Sequence, residues 1–439
     1  DRMQSFNYYG RDMALLGDAL ADNIRSESSQ AAGRYISANQ NGRGAHYNIW
    51  TTVYDAINDV NIIIASIDEL QVSASQEPVK ARIKAEALAL RGLFYFDLAR
   101  VYGYEPNKVP TTGTGAGFTQ SVILRLTPTN TPADADLRAR ASITEVYNQI
   151  EADFKASLAL YNDASLGINP RARTYMNDAA AHALLGKVYL YWERWADAEE
   201  QFKQALSKTD ASLSNNIVGA FTGAGVNPES LFELSFIAST EMGGVTGVNE
   251  SAFSYTQPTG KNAAGVSTYG GQLPSSDLIA LFEEGDDRLD FFFESGSSTS
   301  GSLTYIWANK YSGAQGAYTD NIKIVRYADV LLMLAEAHVM QNETADAILL
   351  LTQLREARDA SVTAIAAAPD LMTFIRQERR RELFFEGHRF FDLKRWGMGI
   401  TKATGVSSGI VDPTDYRILA QIPSSQVILN ELLDQNPGY

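Results

Sequence analysis

Few residues in this chain stand at spacings that do covalent chemistry. Gly405-Val406-Ser407-Ser408-Gly409 fits the G-x-S-x-G pattern of a serine nucleophile, which works when a buried strand precedes the serine and a helix follows it. Here the pattern stands in a Gly/Ser-rich run ahead of Asp412-Pro413, so a loop is expected. The four histidines, His46, His182, His338 and His388, never fall at the i, i+4 spacing of a helical metal pair, and there is no cysteine. Thiolate zinc sites, iron–sulfur clusters, disulfides and a cysteine nucleophile are thereby excluded. Gly113, Gly115 and Gly117 lack both the G-x-G-x-x-G spacing and a P-loop lysine. The expectation is no catalytic residue, no metal and no cofactor.

The stretch Glu378 to Trp396, ERRRELFFEGHRFFDLKRW, alternates basic and aromatic residues as a nucleic-acid binder would. Its acids argue otherwise. Glu378, Glu382, Glu386 and Asp392 stand three or four positions from arginines, so a mostly buried helix with internal ion pairs is expected. The formal charge of -15 also opposes a nucleic-acid or anionic-membrane partner.

The elements that must position any site are helical. Ile49, Val53, Ile57, Val60, Ile64 and Ile67 recur at three or four, predicting an amphipathic helix from Tyr47 to Leu70. Ala85 to Tyr102 reads as a helix buried nearly all round, with Gly103 as its stop. Leu185-Gly186, Tyr189, Ala198 and Phe202 match the L-G-x2-Y and A-x3-F skeleton of the tetratricopeptide repeat, with His182 in place of its leading tryptophan. Leu334-Ala335, His338, Ala347 and Leu351 repeat the offsets. Between these pairs 15 of the 33 glycines lie from Gly219 to Gly316, which predicts a loop-rich region with a binding or covering role. The organisation expected is one unit over 1–439, with a helical half at 1–215 and a loop-rich insertion plus C-terminal helical half at 216–439. The apolar runs fall far short of the roughly 20 residues a membrane helix needs.

The same segments resemble the SusD/RagB family of outer-membrane nutrient-binding lipoproteins. AEALALRGLFYFDLARVYG (85–103) is similar to the family's early signature helix, RYADVLLMLAEA (326–337) to its second and 378–397 to its third. Gly285-Asp286-Asp287-Arg288 resembles its G/N-D-x-R turn, Lys310-Tyr311 a structural pair, and Ile422-Pro423 with Gln435-Asn436-Pro437-Gly438-Tyr439 its closing segment. The resemblance implies a mainly α scaffold of tetratricopeptide-like helix pairs with a large loop-rich ligand-facing region. It implies a non-catalytic glycan-binding protein on the cell surface, held by a lipidated cysteine that this chain lacks. The implied partner is a TonB-dependent outer-membrane transporter of the SusC type.

A neutral oligosaccharide presents apolar ring faces and many hydroxyls, so its site needs aromatic rings and polar side chains. The loop Gly33 to His46 offers Arg34, Tyr35, Asn39, Gln40, Asn41 and Arg43, and the central region offers Tyr255, Tyr269, Gln272, Tyr305 and Trp307. The expected contacts are Tyr35, Asn39, Gln40, Arg43, Tyr255, Tyr269, Gln272 and Trp307, the alternative for each aromatic being that it pins its own loop. Trp50, Trp192, Trp195 and Trp396 fall inside helical patterns and are expected in the core. Two rival readings are a tetratricopeptide module binding a protein or peptide, and a hydrolase built on Ser407.

Overall fold

The protein is described from a computed structural model, which covers residues 1–27, 33–161, 173–238, 240–241, 250–258, 260–261, 267–296 and 304–439. It is mainly α, as expected, and groups into two compact units, one built from 3–47 and 211–413, the other from 48–210 and 414–439. Among the described residues no helix is long and apolar enough to cross a membrane.

Among the described residues the regular elements of the unit 48–210/414–439 are all helices, joined by long irregular stretches such as 103–131. Its helix Trp50–Ser66 buries Trp50 together with Val53, Ile57 and Val60 of the predicted apolar stripe, with Ile64 only partly buried, while Ile62 and Ile63 on the other side are exposed. Glu77–Tyr102 starts earlier than its apolar pattern and is buried almost continuously from Leu88 onward. It packs against Ile143–Tyr161, where Gly92 lets the ring of Phe154 approach to 2.9 Å from the position of an absent Cβ. Gly103 ends the helix in extended backbone (φ -129°), and its lack of a side chain is used by Ser121, whose Oγ lies 2.9 Å from where a Cβ would be. The repeat pair is Asp178–Tyr191 and Trp195–Lys208, and a Cβ on Gly186 would stand 2.6 Å from the Phe202 ring. The closing segment is tied down by its amides: Asn436 Nδ2 donates to the Ala420 carbonyl, and Gln435 exchanges hydrogen bonds with the Ile422 backbone.

In the unit 3–47/211–413, Tyr327–Met340 pairs with Thr344–Glu356 and is flanked by Leu371–Leu383. Ala328, Leu332, Ala335, Leu351, Leu354, Phe374 and Ile375 make their common core. Among the described residues four two-stranded antiparallel ribbons fasten the intervening loops, including Ile24–Ser26 with Gln272–Pro274 and Phe292–Gly296 with Thr304–Ala308.

The stretch 378–396 departs from the single helix expected. Leu371–Leu383 ends before a turn in which Phe385 and Gly387 have φ of 61° and 78°, and Arg389–Arg395 begins a second helix. A Cβ on Gly387 would fall 1.6 Å from the Met13 carbonyl oxygen, so this turn requires glycine. Only part of the expected local pairing forms, as in Glu378–Arg381 and Asp392–Arg395. Most partners come from far along the chain. Glu382 accepts from Arg288, Arg326 and Arg358, Glu378 from Arg288 and Arg355, and Glu386 from Arg326 and Lys310. The turn at 285–288 supplies one of these arginines, with Asp286 gripping the Arg288 guanidinium at 2.7 and 2.8 Å. Burial pushes the carboxyls of Glu378 and Glu386 up, but the facing arginines, and Lys310 for Glu386, outweigh it and hold both at about 2.

Candidate ligand-binding site

In the unit 3–47/211–413 one cluster of aromatic and charged side chains is drawn from three separated segments. Tyr35 precedes the short helix Ile36–Asn39 and is held at φ 56°, a left-handed conformation that a bulky residue adopts at a cost of about 1–3 kcal/mol. Its ring lies 5.2 Å from that of Tyr255, which meets Tyr269 edge-on at 5.8 Å. Ser251 caps the helix Ala252–Thr256 and fixes Tyr255, while Tyr269 is set by its backbone N–H donating to the Ser254 carbonyl at 2.9 Å.

Charges fill the spaces between these rings. Arg11 sits over the Tyr255 ring at 4.5 Å and donates to its hydroxyl at 2.8 Å. It also pairs with Asp12 at 2.7 Å and with Glu250, and the Tyr35 hydroxyl donates to Asp12. Arg34 lies 3.4 Å from the centre of the Tyr269 ring and reaches Glu250 at 3.1 Å. Burial raises the Glu250 carboxyl, but hydrogen bonding by Tyr255 and the two arginines outweigh it and leave it below the ordinary range, ionised at neutral pH. Burial and the neighbouring Asp12 push the Tyr35 phenol well above its usual range, so it acts as a neutral donor. The arrangement offers guanidinium donors, a carboxylate acceptor and the half-buried rings of Tyr35 and Tyr269, a set that suits a polyhydroxylated ligand.

Three of the expected aromatics, Tyr35, Tyr255 and Tyr269, are thus brought together, and the others are not. Trp307 is fully buried in its ribbon and its indole donates to the Ser295 carbonyl, so it anchors the hairpin and presents no ring to a ligand. Tyr255 is 3% exposed and forms the back of the cluster rather than its face. Asn39 and Gln272 are buried as well: Asn39 donates to the Ala19 and Ile24 carbonyls, and Gln272 bonds the Ser26 hydroxyl and the Arg34 carbonyl. All four contradict the expectation of ligand-facing side chains, because a polar or aromatic group in a loop this tightly packed must satisfy the loop first. Gln40 and Arg43 are exposed at the tip of the same loop. Sequence reasoning missed Arg11, Asp12 and Glu250. The first two open a helix, Asp12–Leu20, that carries no family motif, and the third is an ordinary acid inside the glycine-rich region.

Ser407 is exposed in an irregular stretch with no strand before it and no helix after it, and the neighbouring Ser408 hydroxyl donates to the Gln40 carbonyl. The geometry of a nucleophile elbow is not met there.

Comparison with known proteins bears on this arrangement. The model described as the SusD family matches residues 292–439, and one described as starch-binding associating with outer membrane matches residues 9–190. Together they take in both units and each of the signature helices. The chain belongs to the SusD/RagB family. The SusD-like protein P38 of Formosa agariphila is 24% identical, with 96% of this chain and 86% of that protein aligned. A SusD superfamily protein from Bacteroides thetaiotaomicron superposes with a TM-score of 0.82 at 24% identity, over 99% of this chain and 96% of that one. A laminarin-binding SusD-like protein superposes with a TM-score of 0.73 at 23% identity, over 97% and 94%. These likenesses establish the family fold, and they leave the ligand to be argued from the side chains.

Proposed function

We propose that this protein is a non-catalytic glycan-binding protein of the outer cell surface that captures an oligosaccharide and passes it to a TonB-dependent transporter of the SusC type. The observation that carries the reading is the convergence of Tyr35, Tyr255 and Tyr269 with Arg34 and Glu250, from segments more than two hundred residues apart, at a place where two of the rings stay half exposed. A scaffold has no need to gather three tyrosines and two arginines there. Stacking sugars on rings and bonding their hydroxyls to charged groups does. The ligand contacts are Tyr35, Tyr269, Arg34 and Glu250, extended by Gln40 and Arg43 on the same loop. That a laminarin-binding protein shares the fold supports the ligand class.

The test is calorimetric titration of the chain with a panel of neutral oligosaccharides, α- and β-linked glucans, mannans and xylans, beside a peptide library. Saturable binding of at least one saccharide, with no product released, is expected. Peptide binding without any saccharide binding would favour the tetratricopeptide-module reading instead. For the partner, the gene should neighbour one for a TonB-dependent transporter, and its precursor should carry a lipoprotein signal ending in cysteine. A gene neighbourhood without a transporter would remove that half of the proposal.

A further inference from the structure

A concave feature lies wholly within the unit 48–210/414–439 and takes no part in the tyrosine cluster. It is a cavity of about 480 Å³ between the helix Trp50–Ser66, the segment 123–137 and the C-terminal residues 426–433. Cavities of roughly 300–1,000 Å³ are the usual size of small-molecule sites.

The cavity is held open by side chains at helical spacing. Tyr54, Asn58 and Asn61 share one face of the helix, and each bonds the backbone of the facing segment. Tyr54 Oη donates to Ile123 at 2.8 Å, Asn58 accepts from the Thr129 N–H at 2.7 Å, and Asn61 donates to Arg125 at 2.9 Å. On the third side Asn430 donates to the Arg138 carbonyl at 2.8 Å. A segment whose one regular element is the short 3-10 turn Pro132–Asp134 is thereby fixed at a distance from the helix, and the space between is preformed.

Its chemistry is that of a neutral ligand with one apolar face. The charged side chains on the lining are already matched, Asp55 with Arg2 at 3.2 Å and Arg125 with Asp136 at 2.9 Å, so an ionic ligand would have to displace an existing pair. The half-buried Tyr54 ring gives an aromatic wall, with Trp50, 2% exposed, packed behind it at 4.9 Å between ring centres. Leu137 and Leu429 flank the cavity and are 47% and 73% exposed, apolar surface that a ligand would cover. Thr51, Thr127 and the Gln426 amide add hydroxyl and amide groups to the lining.

The geometry points to a second saccharide site here, sized for one or two neutral pyranose rings and independent of the tyrosine cluster. The place rests on the cavity alone, and the ligand class rests on the proposed glycan reading. The experiment follows the leucine methyl resonances of Leu137 and Leu429 during titration with maltose and laminaribiose, in wild type, Thr51→Trp, Leu429→Ala and Tyr269→Ala. Thr51 and Leu429 are exposed, so neither change disturbs the core, and thermal melting verifies it. Saturable shifts of both methyls with at least one disaccharide are expected, retained in Tyr269→Ala. Occlusion by Thr51→Trp should abolish the Leu137 shift. Loss of Leu429 should weaken the affinity read at Leu137 by about tenfold, the scale of one apolar contact. Methyls that stay still while the disaccharide binds elsewhere, or shifts untouched by Thr51→Trp, would overturn the second site and leave the first standing. Glucuronate binding there as tightly as glucose would overturn the inference of neutrality.

Discussion

Two clusters in the unit 3–47/211–413 share paired arginines and glutamates and do different work. Around Glu382, the side chains of Arg288, Arg326, Arg358, Glu229 and Glu378 are 0–1% exposed, and each charge meets an opposite charge at 2.6–3.0 Å. Around Tyr255, Arg11 is buried but Arg34 and Glu250 keep 27% and 21% of their side chains exposed. A sealed network has no donor left for a ligand and can serve only to fix chain segments to one another. A half-open one keeps part of its bonding capacity toward solvent. For the arginines and glutamates that the two share, the difference lies in exposure and not in residue type, which is why charge pattern alone could not separate scaffold from site.

The comparison is broken most severely at Glu382. Glu382→Ala strands three buried arginines and should lower stability by about 3–5 kcal/mol in urea titration. A loss under about 1 kcal/mol would show that the network is better solvated than its burial implies. Trp307→Ala, which empties a fully buried site, should cost a comparable ~3–5 kcal/mol while saccharide affinity stays unchanged. The sealed network also sets an acid limit. Glu378 and Glu386 are held at about 2, below their ordinary 4.5, so the stability they contribute is complete above that ordinary value and is lost as pH falls toward 2. Urea midpoints measured across this window should decline steadily. A flat profile would mean that the two carboxyls titrate normally. Smaller again is Gly186→Leu, which forces a side chain into the Phe202 ring and should destabilise by about 1–3 kcal/mol without touching binding.

What the sequence revealed follows the same division. The helix from Ala85 to Tyr102 and the Gly186 contact were legible because packing imposes periodicity and close approach, and both leave marks in local sequence, whereas the Gly285–Arg288 turn was legible only through its resemblance to a known family. The break at Phe385–Gly387 was not legible, since the reason for it is the Met13 carbonyl more than three hundred residues away. Nor were the ion pairs of Glu382, whose partners at 288, 326 and 358 are adjacent only in the fold. In the candidate site the sequence pointed to the loops that carry these aromatics, but which ring is half exposed and which is buried depends on neighbours such as Arg11 and Glu250 that no local pattern announces. Asn39 and Gln272 were misjudged for that reason: an amide in a loop looks the same in sequence whether it serves the loop or a ligand.

The direct test of the central claim is one substitution in the half-open cluster, Tyr269→Ala, examined by calorimetry with the best saccharide of the panel and by thermal melting. A ring that stacks on a sugar contributes on the order of 1–3 kcal/mol, so affinity should fall by roughly ten- to a hundredfold while the melting temperature hardly changes. Unchanged affinity with a lowered melting temperature would make Tyr269 a loop anchor like Trp307, and would contradict the assignment of this cluster as the glycan site.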